Sequence, residues 1–451
     1  MQRKLARIFA LALGIPLLLA MLAACGSGTS TGNSGGSGGT TSGTVTIKIA
    51  TELPVSGKDE SSGKPTENGA HLAVDQANTN HTIPNVNLVF DPKDDVGPSG
   101  TNDPTVGAAN IRALVGDAQV AAVVGPFNSA VAKAEMPISN QAPLAQISPA
   151  NTNTCLTQQG AAAGCGGAND LVPTLRPTGK VTYFRIATTD SHQGPAGADY
   201  LYKTKGYHSV YVIDDTTTYG VGIADAFTNQ WKTDGGTVLG RSSEPPTTTS
   251  YVSLLTQIAS RKPDVIYFGG LDSTGGILIR QQMEQVPGLQ NLPFAGGDGL
   301  VTSTFSKTIG TSGGGPIFGT VATTDVAKAP NSQAFLQAYD STYGAANLGA
   351  YSAAGYDCAN IIIQAIKTAL ANGAKAPTSS SDAATAKTFR QAVITAIQNI
   401  QFTGVLGPQS FDSNGDTTNR VITIYQVGAN PPNIPFSTPG WNPVAAVNVQ
   451  G

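Results

Sequence analysis

Residues 105–124 read TVGAANIRALVGDAQVAAVV and contain the two patterns that repeat along this chain. Residues 105–114 carry apolar side chains at helical spacing, which predicts a helix. Residues 120–124 form a short, wholly apolar run, which is typical of a strand that is buried on both faces. A helix followed closely by such a strand predicts a parallel sheet covered by helices.

The same alternation extends towards the N-terminus and then begins again later in the chain. The first set is completed by a predicted strand at 45–49, a helix at 68–77 and a strand at 87–90. The second set comprises a helix at 196–203, a strand at 209–213, a helix at 223–231, a strand at 265–268 and a helix at 277–285. Two such sets predict an α/β protein with two Rossmann-like lobes, each built on a parallel sheet.

Helical patterns also occur after the second set, at 332–343 and following Ala350 and Ala383. These helices need a sheet to cover, and we expect them to pack on the first lobe. The chain would then cross between the lobes more than once and form a hinge of several segments. Prolines between 431 and 443 predict an extended C-terminal tail without helix or central strand. The expected lobes are therefore 44–190 with 324–404, and 191–323 with 405–451.

The first 43 residues are typical of an exported, lipid-anchored protein. Basic residues precede an apolar run at 8–20, which is too short for a comfortable membrane span and indicates a secretory signal. The run ends in Leu-Ala-Ala-Cys at Cys25, which resembles the bacterial lipobox and predicts a signal peptide at 1–24 and a lipid on Cys25. A tether at 25–43 follows, rich in Gly, Ser and Thr. The alternative is an uncleaved anchor helix with an incidental cysteine.

Charge and composition exclude some classes of function. The chain is 12% charged and 40% hydrophobic, with a formal net charge of -3, which becomes about -6 once the leader is removed. Such a chain has enough apolar residues to fold. An acidic body without a basic stripe is not suited to nucleic acid, whose phosphates require clustered Lys and Arg. We expect no nucleic-acid partner.

The other three cysteines have different expected roles. Cys155 and Cys165 bracket a Gly/Ala-rich loop outside the cytoplasm, where a disulfide between them can persist, and two free thiols are the alternative. Cys358 falls in a helical pattern at 351–370 and is expected to be a small buried residue. No CxxC and no His/Cys cluster of metal-site spacing occurs in the sequence, so neither a metal nor another cofactor is predicted.

Eight short motifs occur in an order that is similar to their order in a known protein family. They are LPVSG at 53–57, NGA at 68–70, VVGP at 123–126, ISPANT at 147–152, DSHQGP at 190–195, YGVG at 219–222, IYFGG at 266–270 and GP at 407–408. The chain thereby resembles the leucine/isoleucine/valine-binding family of extracytoplasmic solute-binding proteins, from about residue 45 to 411. This resemblance implies the type I periplasmic binding fold.

The resemblance implies a site for a ligand carboxylate. Ser129 matches a serine that holds this group, and the turn Ala150, Asn151 and Thr152 matches one whose backbone and hydroxyl groups complete the site. Backbone N–H groups and hydroxyls can hold a carboxylate in a dry cleft without an Arg. The alternative is that these residues only form a turn.

The resemblance also assigns residues to the rest of the ligand. Asp298 matches an acidic residue that accepts the ligand ammonium, although it is one methylene shorter than the usual Glu. Tyr219 matches an aromatic residue that closes over the ligand. The alternatives are an ordinary loop aspartate and a packing tyrosine. Leu271 stands where a tyrosine is common, and Ser62 where an aromatic often lines the side-chain pocket, so ligand identity is open.

The function implied by the resemblance is transport. We expect a lipid-anchored substrate-binding protein on the outer face of the cytoplasmic membrane, which binds a branched-chain or other hydrophobic amino acid and delivers it to the permease of an ABC importer. Relatives also bind urea, short amides and aromatic acids. The rival functions are a sensory receptor and an exported hydrolase, but no hydrolytic machinery is visible, and we do not expect an enzyme.

Overall fold

The first lobe is built on a five-stranded sheet in which all neighbouring strands are parallel. The computed structural model describes residues 44–310, 314–428 and 438–449, so the predicted signal peptide, Cys25 and tether lie outside the described residues. The strands are β1 Val45–Leu53, β2 Val86–Asp94, β3 Val120–Val124, β4 Ala145–Ser148 and β5 Tyr183–Arg185, in the order β2-β1-β3-β4-β5. All residues of β3 are buried, as its apolar run predicts.

The second lobe contains a seven-stranded mixed sheet of order β14-β13-β10-β9-β8-β6-β7. Its strands are β6 Ser209–Asp214, β7 Thr237–Ser243, β8 Val265–Gly269, β9 Phe294–Gly296, β10 Ile317–Val321, β13 Val421–Val427 and β14 Trp441–Asn448, while β11 Phe402–Gly404 and β12 Gly407–Gln409 form a separate hairpin. The strands β6 to β10 are parallel, as predicted, and β13 is added antiparallel to β10. The reason is that the chain leaves β10 and enters β13 at the same end, where Val321 faces Thr423. The C-terminal tail supplies the edge strand β14, a position that tolerates Pro443.

Helices cover both sheets. They are α1 Glu60–Thr79, α2 Pro104–Gly116, α3 Ser129–Gln141, α4 Val172–Leu175, α5 Asp190–Asp199, α6 Thr218–Thr233, α7 Val252–Arg261, α8 Ile277–Met283, α9 Ser303–Ile309, α10 Ser332–Tyr343, α11 Ser352–Ala371 and α12 Ala383–Gln398. The start of α2 illustrates the local rules. The Asp103 carboxylate accepts the Thr105 N–H at 2.7 Å, and Pro104 occupies the first helical position, where its missing N–H is not needed.

The late helices return to the first lobe, where α11 packs against α1. The two helices approach closely because glycines face the neighbouring backbone. A Cβ on Gly69 would lie 2.0 Å from the Ser352 carbonyl oxygen, and one on Gly355 would lie 2.1 Å from the Thr66 carbonyl oxygen. This approach explains why NGA at 68–70 interrupts a helix with glycine despite its cost to helix stability.

Three passages of chain connect the lobes, from β5 to α5, from β10 to α10 and from β12 to β13. The first and third passages are joined by a buried ion pair, in which Arg185 Nε lies 2.7 Å from Asp416 Oδ1. Thr157 and Gln158 also donate to the Asp416 carboxylate, at 2.7 and 2.8 Å. The hinge is therefore stabilised by a charge pair whose hydrogen bonds are supplied by the first lobe.

Glu52, Asp95 and Glu135 are interacting carboxyl groups in the core of the first lobe, and all three are fully buried. Burial is the main cause that raises the pKa of Glu52 to about 7, and it raises the pKa of Asp95 and Glu135 as well. Their mutual repulsion acts in the same direction for Asp95 and Glu135. These groups hold protons that the unfolded chain releases at lower pH.

We expect wild-type stability to fall as the pH rises from about 4.5 to about 7, because folded Glu52 keeps its proton in this range while the unfolded carboxyl loses it. Glu52→Gln removes this pH-dependent loss of unfolding free energy, which amounts to about 3 kcal/mol above pH 7. Urea unfolding at pH 4.5 and pH 8 measures it, with the exposed Glu60→Gln as control. An equal pH dependence in wild type and Glu52→Gln would contradict the prediction.

The structure joins Cys155 and Cys165 in a disulfide with an S–S distance of 2.08 Å. The bridge closes a ten-residue separation in the loop between β4 and β5. Cys358 is a free, fully buried residue of α11 and packs in the hydrophobic core of the first lobe. Its position agrees with the small apolar role expected from the helical pattern.

Candidate functional site

A cavity lies between the two lobes and is lined by residues from both. Its volume is about 610 Å³ when the mouth is included. The lining residues are Pro54, Asp59, Ser61, Ser62, Phe127, Asn128, Ser129, Ala150, Thr152, Tyr219, Leu271, Asp272, Asp298, Gly299, Val301, Ala350 and Tyr351.

One end of the cavity is formed by loops that follow β3 and β4. Ser129 is the first residue of α3, and Ala150 and Thr152 come just after β4. All three are buried and line the cavity. The carboxyl ends of neighbouring parallel strands and the N-terminus of a helix together favour an anion here. This end of the cavity is suited to a carboxylate.

Asn151 differs from its neighbours in the predicted turn, because it is not among the residues that line the cavity. Its side-chain amide donates to the Phe127 carbonyl oxygen and accepts from the Tyr183 hydroxyl at 2.6 Å. Arg185 donates to the Asn153 carbonyl oxygen at 2.7 Å. The amide of Asn151 therefore fixes the turn through contacts within the first lobe and does not line the cavity.

Asp298 lines the cavity from the second lobe, just after β9. Its carboxylate accepts hydrogen bonds from Tyr219 at 2.8 Å, from Gln193 at 2.9 Å and from Tyr351 at 2.9 Å. Burial raises the pKa of Asp298, and these three donors act against that shift. Neither Gln193 nor Tyr351 was predicted from the sequence to contact Asp298. DSHQGP at 190–195 was a signal for the former, and the latter precedes α11 without any motif of its own.

The remaining wall of the cavity is partly acidic. Leu271 and Ser62, the two departures from the family pattern, both line the cavity. Asp59 and Asp272 lie beside them, and neither was predicted. Burial raises the pKa of Asp272 to about 7, a hydrogen bond from Thr302 lowers it, and the charge of Asp59 raises it. The wall therefore contains two carboxyl groups that repel each other.

Hydrogen bonds hold the lobes together across the cavity. The Tyr351 hydroxyl of the first lobe donates to Asp298 of the second. The Ser273 hydroxyl of the second lobe donates to Asp59 of the first. A third bond, from the Asn153 amide to the Thr218 carbonyl oxygen, has a length of 2.7 Å. The structure therefore has its lobes closed.

Two α/β lobes that close over a cavity lined by residues of both define a solute-binding protein. The comparisons identify its family, since the model of the periplasmic binding protein family matches residues 46–431. This chain belongs to the leucine/isoleucine/valine-binding family of periplasmic binding proteins. It is 30% identical over 391 residues to the Leu/Ile/Val-binding protein BraC3 of Rhizobium johnstonii, a match that covers 84% of this chain and 91% of the relative.

Solved structures show the same fold with different ligands. The leucine-binding protein LivK of Thermotoga maritima has a TM-score of 0.69 at 22% identity, covering 89% of this chain and 99% of that one. A solute-binding protein of R. palustris in complex with 4-hydroxybenzoate also has a TM-score of 0.69, at 18% identity, covering 90% of this chain and 98% of that one. These likenesses establish the fold. Among the described residues, no helix has the length and apolar character needed to cross a membrane, and no group of three or more His, Cys, Asp or Glu is arranged to hold a metal.

Proposed function

We propose that this chain is the lipid-anchored substrate-binding protein of an ABC importer, and that its ligand is an α-amino acid. The observation that carries the proposal is the pairing of two opposite environments in one closed cavity. The N-terminus of α3 with Ser129 favours a carboxylate, and Asp298 on the other lobe favours an ammonium group. The name of the relative from Rhizobium johnstonii, which binds Leu, Ile and Val, supports the same class of ligand.

In this proposal each lobe recognises one part of the ligand. Ser129, Ala150 and Thr152 of the first lobe hold the carboxylate while the lobes are open. Asp298 and Tyr219 of the second lobe then meet the amino group as the lobes close. Closure excludes water, which strengthens these polar contacts, and it creates the form that the permease distinguishes from the empty protein. Cys25 carries the lipid that keeps the protein at the outer face of the cytoplasmic membrane.

A thermal unfolding screen tests this function. The purified protein is unfolded and refolded to remove bound solute, and is then mixed with amino acids, urea, short amides or aromatic acids. A ligand present at a hundred times its Kd is expected to add about 2.7 kcal/mol to the free energy of unfolding. A response to amino acids is the expected result. A response to urea, amides or aromatic acids alone, or no response from folded protein, would overturn the amino-acid assignment.

A further inference from the structure

The wall of the cavity that would face the ligand side chain is acidic and has no basic partner. Asp59 and Asp272 both line the cavity, and both are at least 95% buried. No Lys, Arg or His occurs among the described residues that line it. Buried carboxylates are stable when they are paired with cations or well supplied with hydrogen bonds. The protein supplies no cation here.

The donors that reach these two carboxylates are all neutral. The N–H and side-chain amide of Asn102 donate to Asp59 at 2.8 and 2.9 Å, and the Ser273 hydroxyl also donates to it. The Ser273 N–H and the Thr302 hydroxyl donate to Asp272 at 2.7 and 2.5 Å. A carboxylate has about four acceptor sites, so both groups keep capacity for a further donor. No donor in this set is a cation.

An independent observation also indicates missing donors. The side-chain oxygen Oδ1 of Asn128 is buried and has no hydrogen-bond partner among the described residues, and Asn128 lines the same cavity with only 9% of its surface exposed. An unsatisfied buried acceptor costs roughly 1–3 kcal/mol. The carboxyl groups of Asp59, Asp272 and Asp298, which line the same cavity, offer more acceptors than an α-amino group alone can use.

We propose that the ligand is a basic α-amino acid, whose side chain carries an ammonium or guanidinium group that binds Asp59 and Asp272. This inference rests on the proposed function and replaces the branched or hydrophobic side chain implied by the resemblance. Leu271 and Val301 line the cavity beside the acidic wall and would contact the methylene groups of such a side chain. The cation offsets the repulsion between the two carboxylates. An aliphatic side chain would exclude water from them without supplying an opposite charge.

Isothermal titration of the purified, refolded full-length protein with length-matched amino acids tests the inference. L-lysine is compared with L-norleucine, and L-ornithine with L-norvaline, because each pair differs mainly in the terminal ammonium group. We expect the basic member of at least one pair to bind at least tenfold more tightly. Asp272→Asn should remove this preference, with lysine or ornithine weakened at least tenfold and the neutral partner changed less than threefold. The exposed Asp75→Asn, outside the cavity, is the matched control and should change neither.

The possible results separate this inference from the proposed function. Norleucine or leucine binding as tightly as lysine, with Asp272→Asn neutral, would overturn the basic side chain and keep the amino-acid site. No binding by any amino acid would overturn both proposals. If Asp272→Asn does not fold, as judged by thermal unfolding, Asp59→Asn takes its place with the same expected loss. The comparison of lysine with norleucine on wild-type protein decides the preference without any variant.

Discussion

Replacing Asp298 by asparagine is expected to weaken the binding of α-amino acids about a hundredfold or more. The variant keeps the size of the side chain and removes the charge that we propose as the partner of the ligand ammonium. Removing one partner of a buried, hydrogen-bonded charge pair costs 2 to more than 5 kcal/mol, since the other charge is left without compensation. The three donors to Asp298, on Tyr219, Gln193 and Tyr351, show that the protein itself holds this carboxylate in place.

The measurement compares two ligands on the same variant. One is the amino acid that stabilises wild-type protein most strongly, and the other is the same acid without its α-amino group. Asp298→Asn should reduce affinity for the first about a hundredfold and for the second less than threefold. Asp75→Asn, on the exposed side of α1, is the control for a general loss of charge. Equal losses for both ligands would contradict the role of Asp298 as the ammonium acceptor.

Replacing Asp416 by alanine is expected to lower the free energy of unfolding by about 3–5 kcal/mol, because it leaves a buried guanidinium without its counterion. Arg185 is fully buried, and its Nε lies 2.7 Å from Asp416. Thr157 and Gln158 lose the same acceptor. Asp416 connects the third passage of the hinge to the loop that follows the turn at 150–152, so we expect the variant also to weaken ligand binding.

Chemical unfolding curves measure this loss as a fall in the midpoint, provided that the slope is unchanged. The exposed pair of Lys203 and Asp199, 2.9 Å apart, is the matched control. Asp199→Ala is expected to cost less than about 1 kcal/mol, since solvent screens the pair and side-chain entropy opposes it. A loss for Asp416→Ala no larger than that for Asp199→Ala would show that the hinge pair contributes little.

Several elements could be predicted because their signals are local. The helix expected at 351–370 is α11, Ser352–Ala371, and the run at 120–124 is the buried strand β3. The family resemblance also indicated Ser129, Thr152 and Asp298, which all line the cavity. These residues occupy turns at strand ends, where the fold fixes the edge of the sheet on which they lie.

Other parts of the site left no local signal. Tyr351 and Asp298 are 53 residues apart, and Ser273 and Asp59 are 214 residues apart. These pairs meet only because the chain returns to the first lobe after completing most of the second, and because the two lobes then close. Because the chain passes through the first lobe between β10 and β13, β13 enters the second sheet antiparallel to β10. The alternation of strands and helices does not predict this direction.

The pattern of apolar residues predicts the helices, the strands and the two-lobed α/β class. A buried face repeats every 2 residues in a strand and every 3.6 in a helix, whichever element packs against it. The chemistry of the cavity was decided by the tertiary structure. Asp59, Asp272 and Tyr351 come from separate turns, and each of them is ordinary within its own segment. Their charges and hydroxyl groups acquire a common effect only when folding brings them to one water-poor space, where unpaired carboxylates are costly.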